Sequence, residues 1–253
     1  MQGHAESLGH GRIDLHLDLS GSPRLLRSDG SEVDGLRKKD LALITYLWVN
    51  GPKRHQRSAL ASLLWSNRDE LKARHSLTQA LRRIQSVLGD RMRIGQNEVE
   101  WRTPAPTAIQ LLKLVGQAVD DVGEDCAQRV FLNGFFVGSG GQTFDAWAEH
   151  QRDNLRTCLS RNCQTLGREA ELAGNWERAL NLAKCAASLD QFDEEAHRRI
   201  MRAWAQLGQK ARALKHFRHL TELLKYELDA SPDPQTLRLY NDLIKETRPG
   251  SQP

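Results

Sequence analysis

The C-terminal half of the sequence matches itself at a fixed offset of 34 residues. Gly174 aligns with Gly208, and the pair Ala179-Leu180 aligns with Ala213-Leu214. Ala170 with Trp204 and Leu189 with Leu223 are further matches. A unit that recurs at this length is one supersecondary structure, and it must stack on its neighbour to cover its apolar face. The repeat therefore restricts this half of the chain to stacked helical hairpins.

The small residues of the repeat fall where the two helices of a hairpin must approach closely. Glycine stands at the expected turn between the helices, and alanine stands where they touch. A period of 34 with these features is typical of tetratricopeptide repeats. We predict two repeats, an earlier helix over residues 144–159 and a closing helix over residues 234–245. The alternative is a helical bundle without repeat geometry.

The N-terminal half has a different pattern. Apolar residues alternate with polar ones over residues 12–36, which predicts three or so short antiparallel strands. Helical spacing follows from Lys38 to Gly51, over residues 56–65, and in a third helix that ends at Gly89. Alternation returns on both sides of Gly95-Gln96-Asn97 and predicts a β-hairpin. Strands, three helices and a hairpin in this order describe a winged helix-turn-helix.

The predicted fold class is mainly α with a small β part. A winged helix-turn-helix domain over residues 12–103 is followed by an all-α tetratricopeptide-like helical repeat domain over residues 107–246. Pro104 and Pro106 mark the linker.

No apolar run reaches the roughly 18 residues of a membrane span, and the first twenty residues lack a secretory h-region. We therefore expect a cytoplasmic protein without a membrane partner.

The excess of positive charge is confined to the first domain. Residues 1–103 hold 17 Lys and Arg against 12 Asp and Glu, a net charge of +5, whereas the rest holds 19 against 20. A basic module beside a nearly neutral one suits a polyanion-binding head on a body of another kind.

The third helix carries the candidate site. Its apolar residues fall on one face of a helical wheel, and the opposite face has cations, hydroxyls and an amide but no carboxylate. Arg82 or Arg83 is placed to pair with guanine and Gln79 with adenine. Thr78 and Ser86 are candidate phosphate donors. Near the helix start, Lys72 and His75 are candidates for a base edge or a phosphate.

The hairpin supplies further cations. Arg91, Arg93 and Arg102 are candidate contacts to the DNA backbone or the minor groove. Pairing of Arg91 and Arg93 with Glu98 and Glu100 across the hairpin is the alternative for these residues. For the third helix the alternative is a solvated polar face without a ligand.

Enzymatic and metal-binding motifs are weak. The stretch of residues 138–143 is glycine-rich but lacks the Gly-Lys ending of a phosphate cradle, so we expect a flexible loop. His216 and His219 are three residues apart on a helix with Glu222, yet no zincin motif accompanies them, and we expect surface histidines. The sequence indicates no cofactor, no metal and no catalytic triad, so we expect no enzyme.

Phrases in both halves resemble those of one bacterial regulator family. They are residues 36–43, 57–65, 73–81, 144–147 with Arg152, Asp190 with 194–201, 230–232, Thr236 and 239–240. Over residues 12–245 the chain resembles the Streptomyces antibiotic regulatory protein family, which joins an OmpR-type winged helix to a bacterial transcriptional activator domain. The chain departs from the family at Thr78, where arginine is common, near Gln85, and in the hairpin before Trp101. These departures bear on DNA affinity rather than on the fold.

The resemblance implies a transcriptional activator that binds double-stranded promoter DNA and recruits RNA polymerase, with a homodimer as a further expectation. Control would then come through the second domain or through expression level. A protein-interaction scaffold whose winged helix does not bind DNA is the alternative function. A third hypothesis is a regulatory fragment of a longer protein, since family members often continue into an ATPase.

Overall fold

The computed structural model describes residues 15–102, 104, 106, 110 and 131–245. In its first part the strands are β1 (Leu15–Asp18), β2 (Arg24–Arg27), β3 (Arg54–Gln56), β4 (Met92–Ile94) and β5 (Glu98–Trp101). The helices of that part are α1 (Lys38–Asn50), α2 (Arg57–Trp65) and α3 (Glu70–Leu88). After residue 131 the described elements are α4 (Gln142–Leu172), α5 (Trp176–Leu189), α6 (Glu194–Gln206), α7 (Lys210–Leu228) and α8 (Pro234–Lys245).

The contacts divide the chain into two compact units. Of the described residues, 15–102 and 131–155 belong to the first unit, and 156–245 belong to the second. The predicted domain limits, 12–103 and 107–246, stay a prediction, because most residues near the proposed linker lie outside the described part of the chain.

The first unit has the order of a winged helix. β1 and β2 pair antiparallel, with Leu15 opposite Arg27, and a single bridge joins Leu26 to Glu32. A second antiparallel sheet has the order β3-β5-β4, with Met92 opposite Trp101. The predicted fold class is confirmed, with two strands rather than three before α1 in the described residues.

The sequence analysis missed β3. This strand has the residues Arg54-His55-Gln56, and His55 is its buried member, so it has no apolar alternation to detect. It exists because β5 offers it a free edge, with His55 opposite Val99. Backbone pairing of this kind depends on the tertiary fold and leaves little signature in composition.

Local signals fix α3. The Asp69 side chain accepts a hydrogen bond from the backbone N–H of Lys72, which satisfies one of the donors that a helix leaves open at its start. Gly89 ends the helix with φ of 57°, a conformation that costs glycine little. Ala73, Leu77, Ala80, Leu81, Ile84 and Leu88 are buried on one face, as the wheel predicts.

The segment before α4 is held against the winged helix within the first unit. Ser66 donates its backbone N–H to the Gly140 carbonyl at 3.0 Å, and Asn67 Nδ2 donates to Ser139 Oγ at 2.9 Å. The Asp145 carboxylate accepts the N–H groups of Val137 and Gly138 at 2.7 and 3.0 Å. The expected flexible loop is therefore an ordered turn, because polar groups on both sides satisfy its backbone.

The second unit shows the 34-residue period in the backbone hydrogen bonds and glycine conformation at the turns of its repeats. Asn175 donates its N–H to the Ala170 carbonyl at 2.9 Å, and Gln209 donates to the Trp204 carbonyl at 2.8 Å. Gly174 and Gly208, at the same turn of each repeat, have φ of 69° and 73°. Both helices thus end in the same motif of glycine and backbone hydrogen bonds.

The apolar residues of the repeats meet between their helices. Leu180 and Ala183 of α5 pack with Ile200 and Ala203 of α6, and Trp176 and Trp204 border this cluster. Met201, Ala213, Phe217 and Leu243 form a second cluster between α6, α7 and α8. The Phe217 and Tyr240 rings stack at 3.9 Å between centroids. The small residues Ala179 and Ala213 are both buried, as close helix approach requires.

Candidate nucleic-acid interface

The outward face of α3 is the first part of the site. His75, Arg82 and Ser86 are exposed, and Gln79 is half-buried. Within the described part of the chain, the Arg82 guanidinium, the His75 ring and the Gln79 amide have no hydrogen-bond or ion-pair partner. These groups are therefore available to a ligand without breaking an internal contact.

Arg83 differs from its neighbour, because its guanidinium is bonded to a carboxylate of α1, and its contact with a base stays a prediction. Its Nε and Nη2 atoms donate to the two carboxylate oxygens of Asp40 at 2.7 and 2.9 Å. Asp40 is fully buried in α1, whereas the Arg83 side chain is 28% exposed. The guanidinium lies at the edge of the outward face, beside α1. A base contact from Arg83 would leave a buried charge unpaired, which is expensive.

The start of α3 holds two ion pairs. Lys72 Nζ lies 2.9 Å from Asp69 Oδ2, and Arg74 Nη2 lies 2.7 Å from Glu70 Oε1. Exposed pairs of this kind contribute little to stability and exchange readily. They do neutralise the two carboxylates nearest to the outward face, so that face carries no unpaired negative charge within α3.

The two predicted hydroxyl donors are engaged within the helix. Thr78 Oγ1 donates to the Arg74 carbonyl at 2.8 Å, and Ser86 Oγ donates to the Arg83 carbonyl at 2.7 Å. A hydroxyl has one proton to donate. In this structure both hydroxyl protons are bonded within α3, and the contact of Thr78 and Ser86 with a phosphate stays a prediction.

Arg57 is a functional candidate that the sequence analysis missed. Its Nη2 donates to Thr78 Oγ1 at 2.6 Å, and its Nη1 donates to the Gly95 carbonyl at 3.1 Å. Its backbone N–H donates to the Asn97 carbonyl at 2.9 Å. One residue at the start of α2 thereby joins α3 to the turn between β4 and β5. We call this turn, residues 95–97, the wing turn.

Arg93 is an exposed cation of the wing. It lies in β4 opposite Glu100 of β5, and no ion pair of Arg93 occurs among the described residues. Glu98 instead pairs with Arg54 at 3.4 Å, and Glu100 lies 4.0 Å from Arg102. Among the described residues, the cations next to Glu98 and Glu100 are thus Arg54 and Arg102 rather than Arg93.

Arg91 lies before β4 rather than within it. It ends the short helical turn Gly89–Arg91, and its carbonyl accepts the backbone N–H of Arg102 at 3.0 Å. The side chain is half-buried and has a further contact in the structure. These positions place Arg91 at the base of the hairpin and Arg93 on the exposed side of its first strand.

The structure places one of the two predicted surface histidines partly in the interior of the second unit. His216 is half-buried rather than on the surface, with its Nε2 2.8 Å from His197 Nδ1. His197 Nε2 lies 3.0 Å from the Gln191 carbonyl, so this nitrogen carries the proton and Nδ1 accepts one from His216.

Among the described residues, no group of three His, Cys, Asp or Glu side chains is arranged to hold a metal ion. No described helix is both long and apolar enough to cross a membrane.

Comparisons with known proteins agree with the architecture. Residues 132–244 match the family model of the bacterial transcriptional activator domain. Mycobacterium tuberculosis EmbR, solved in complex with a low affinity phosphopeptide, has the same fold with a TM-score of 0.65 and 14% sequence identity. The match covers 95% of this chain and 67% of the EmbR chain. A comparison with curated proteins gives no match.

The two matches cover both halves of the fold that the sequence predicts. The family model accounts for the C-terminal part, and the EmbR structure extends the likeness in fold over the winged helix. Residues 132–244 match the bacterial transcriptional activator domain, and this match agrees with the resemblance of the chain to the Streptomyces antibiotic regulatory protein family.

Proposed function

We propose that the chain is a transcriptional activator that binds double-stranded promoter DNA through the outward face of α3. The observation that carries this proposal is the contrast between two adjacent arginines. Arg83 forms an ion pair with the buried carboxylate of Asp40, whereas Arg82 is exposed and has no partner in the described part of the chain. An unpaired cation on a face without free carboxylates suits a polyanionic groove.

On this proposal the side chains of that face contact bases and phosphates in the major groove. Arg82 pairs with guanine O6 and N7, and Gln79 pairs with adenine N6 and N7. His75, one turn closer to the helix start, contacts a base edge or a phosphate. Lys72 exchanges its surface pair with Asp69 for a phosphate oxygen, at little cost because both groups are exposed.

The wing contributes backbone contacts. Arg93 faces solvent from β4, and the Arg57 side chain ties the wing turn to α3. A hydrogen-bonded link of this kind holds the two DNA-contacting elements at a fixed separation before DNA arrives. Preorganisation lowers the ordering cost of binding.

The second unit supplies the partner-binding function. We propose that the helical repeats contact RNA polymerase or a second copy of the chain while the winged helix holds the promoter. The family match over residues 132–244 supports an activating role. Stacked repeats present extended surfaces that other proteins bind.

A protein-interaction scaffold is the second candidate function. Leu172 and Tyr226 are 84% and 88% exposed in the second unit, which favours a protein contact there. On this hypothesis the winged helix would bind no duplex. The two hypotheses therefore separate on one property of the first unit, its affinity for double-stranded DNA.

Selection of bound duplexes from a random pool, with the full chain, tests the proposal. The selected duplex is then titrated at increasing salt. If roughly 4–6 phosphates are contacted, the logarithm of the binding constant falls with the logarithm of salt concentration with a slope of about −4 to −5. Absence of enrichment and of binding at low salt would overturn the DNA-binding proposal and favour the scaffold.

Two variants locate the binding face. Arg82→Ala is expected to weaken binding of the selected duplex by about tenfold or more, the loss of one base-contacting arginine. Arg218→Ala removes an exposed arginine of α7 in the second unit and serves as the matched control. Equal affinities of the two variants would remove Arg82 from the interface.

A further inference from the structure

One apolar side chain of α3 lies on the polar side of the helix. Leu71 is 79% exposed, whereas Leu77, Leu81 and Leu88 of the same helix are buried. An exposed leucine is common on protein surfaces and needs no explanation by itself. Its alignment with the candidate DNA-contacting residues gives it a specific meaning.

Leu71 begins the outward stripe of α3. His75, Thr78 and Arg82 follow it at i+4, i+7 and i+11, the spacing that places side chains above one another on a helix. The stripe therefore reads, from the helix start, as apolar, imidazole, hydroxyl and guanidinium. The acidic residues that flank Leu71 in sequence, Asp69 and Glu70, are each paired with a cation of α3.

We infer that Leu71 contacts the C5-methyl group of a thymine in the major groove and thereby adds a preference for thymine at one position of the DNA site. This inference rests on the proposed function. The first residues of a recognition helix face base edges, and thymine alone among the four bases presents a methyl group in that groove. Because the carboxylates of Asp69 and Glu70 are each ion-paired, the exposed Leu71 side chain lies beside neutralised rather than free negative charges.

The contact has a chemical signature that is independent of charge. Uracil differs from thymine only by the missing methyl group and keeps the same hydrogen-bonding edges. Replacement of the contacted thymine by uracil is expected to weaken binding of the wild-type chain about fourfold, the effect of withdrawing one methyl group from an apolar contact. Leu71→Ala is expected to bind the thymine duplex with an affinity reduced by the same factor. Its affinity should not change further when the thymine is replaced by uracil.

The experiment uses the full chain and the duplex selected by the wild type, with each thymine replaced by uracil in turn. Leu172→Ala, a leucine of similar exposure in the second unit, is the matched control and retains the wild-type response. Thermal unfolding of Leu71→Ala at the wild-type midpoint excludes misfolding as the cause. Because Leu71 buries little surface in this structure, its removal is not expected to disturb the fold.

The outcomes distinguish the inference from the proposed function. Failure of the wild-type chain to select any duplex overturns the DNA-binding proposal itself. A wild type that binds its duplex with no response to uracil at any position overturns the role of Leu71 alone. A response that persists unchanged in Leu71→Ala assigns the methyl contact to another residue and overturns the inference as well.

Discussion

The guanidinium of Arg83 forms two hydrogen bonds with the carboxylate of Asp40, 43 residues earlier in the chain. The Asp40 carboxylate also accepts the backbone N–H of Arg37 at 2.9 Å and so caps α1. One buried carboxylate therefore joins the start of α1 to the middle of α3. The link adds to the apolar packing that holds α3 in place.

Arg83→Ala is predicted to lower the free energy of unfolding by about 2–4 kcal/mol, because it leaves the buried Asp40 carboxylate without its cation. Urea denaturation measures the change. The adjacent Arg82→Ala is the control, and we expect a change within about 0.5 kcal/mol, as for an exposed side chain without contacts. Similar destabilisation by both variants would show that the Asp40 pair contributes nothing specific.

Arg57→Ala is predicted to loosen the wing turn, because the side chain supplies hydrogen bonds to both Thr78 and Gly95. Amide hydrogen exchange at the turn between β4 and β5 is expected to accelerate by about tenfold or more, in line with hydrogen bonds from a charged donor. Arg54→Ala, which removes only the exposed pair with Glu98, is the control. Unchanged exchange in Arg57→Ala would contradict the coupling.

Gly174→Ala and Gly208→Ala are predicted to destabilise the repeats by about 1–2 kcal/mol each, because both positions have left-handed backbone that a Cβ atom disfavours. No heavy atom lies within 4 Å of a Cβ built at either position, so the cost is conformational rather than steric. Gly174→Asn and Gly208→Asn should cost less, since asparagine tolerates this region better. Chemical denaturation tests the order, and an equal cost for alanine and asparagine would refute it.

Stability is predicted to fall as the pH drops from about 6.5 toward 4, the range set by the His197–His216 pair. Burial, followed by the nearby His197, His219 and Lys184, lowers the pKa of His216 to about 4. Burial also lowers the pKa of His197. The unfolded chain then binds more protons than the folded chain in this range, and protonation favours unfolding.

His216→Gln is expected to flatten this pH dependence, because glutamine still donates to His197 but does not titrate. The slope does not vanish entirely, since burial lowers the pKa of His55 as well. His150→Gln, at an exposed position of α4, keeps the wild-type slope. Denaturant midpoints measured between pH 7 and pH 4.5 test this, and an unaltered slope in His216→Gln would contradict it.

The sequence by itself determined the elements whose signals are local or periodic. The 34-residue offset located Gly174 and Gly208 at equivalent turns, and helical spacing separated the buried face of α3 from its outward face. These features follow from backbone geometry and from the period of apolar residues, so they do not require knowledge of distant partners.

The tertiary structure alone decided which cations of that face are free. A helical wheel places Arg82 and Arg83 on the same polar face and does not show which of them is free to bind a ligand. Only the position of Asp40 in α1 decides that Arg83 is paired. The same holds for Arg57, whose partners Thr78 and Gly95 lie 21 and 38 residues away. Side-chain hydrogen bonds over such separations depend on where the folded chain brings the partners together. A periodic pattern carries no information about that position.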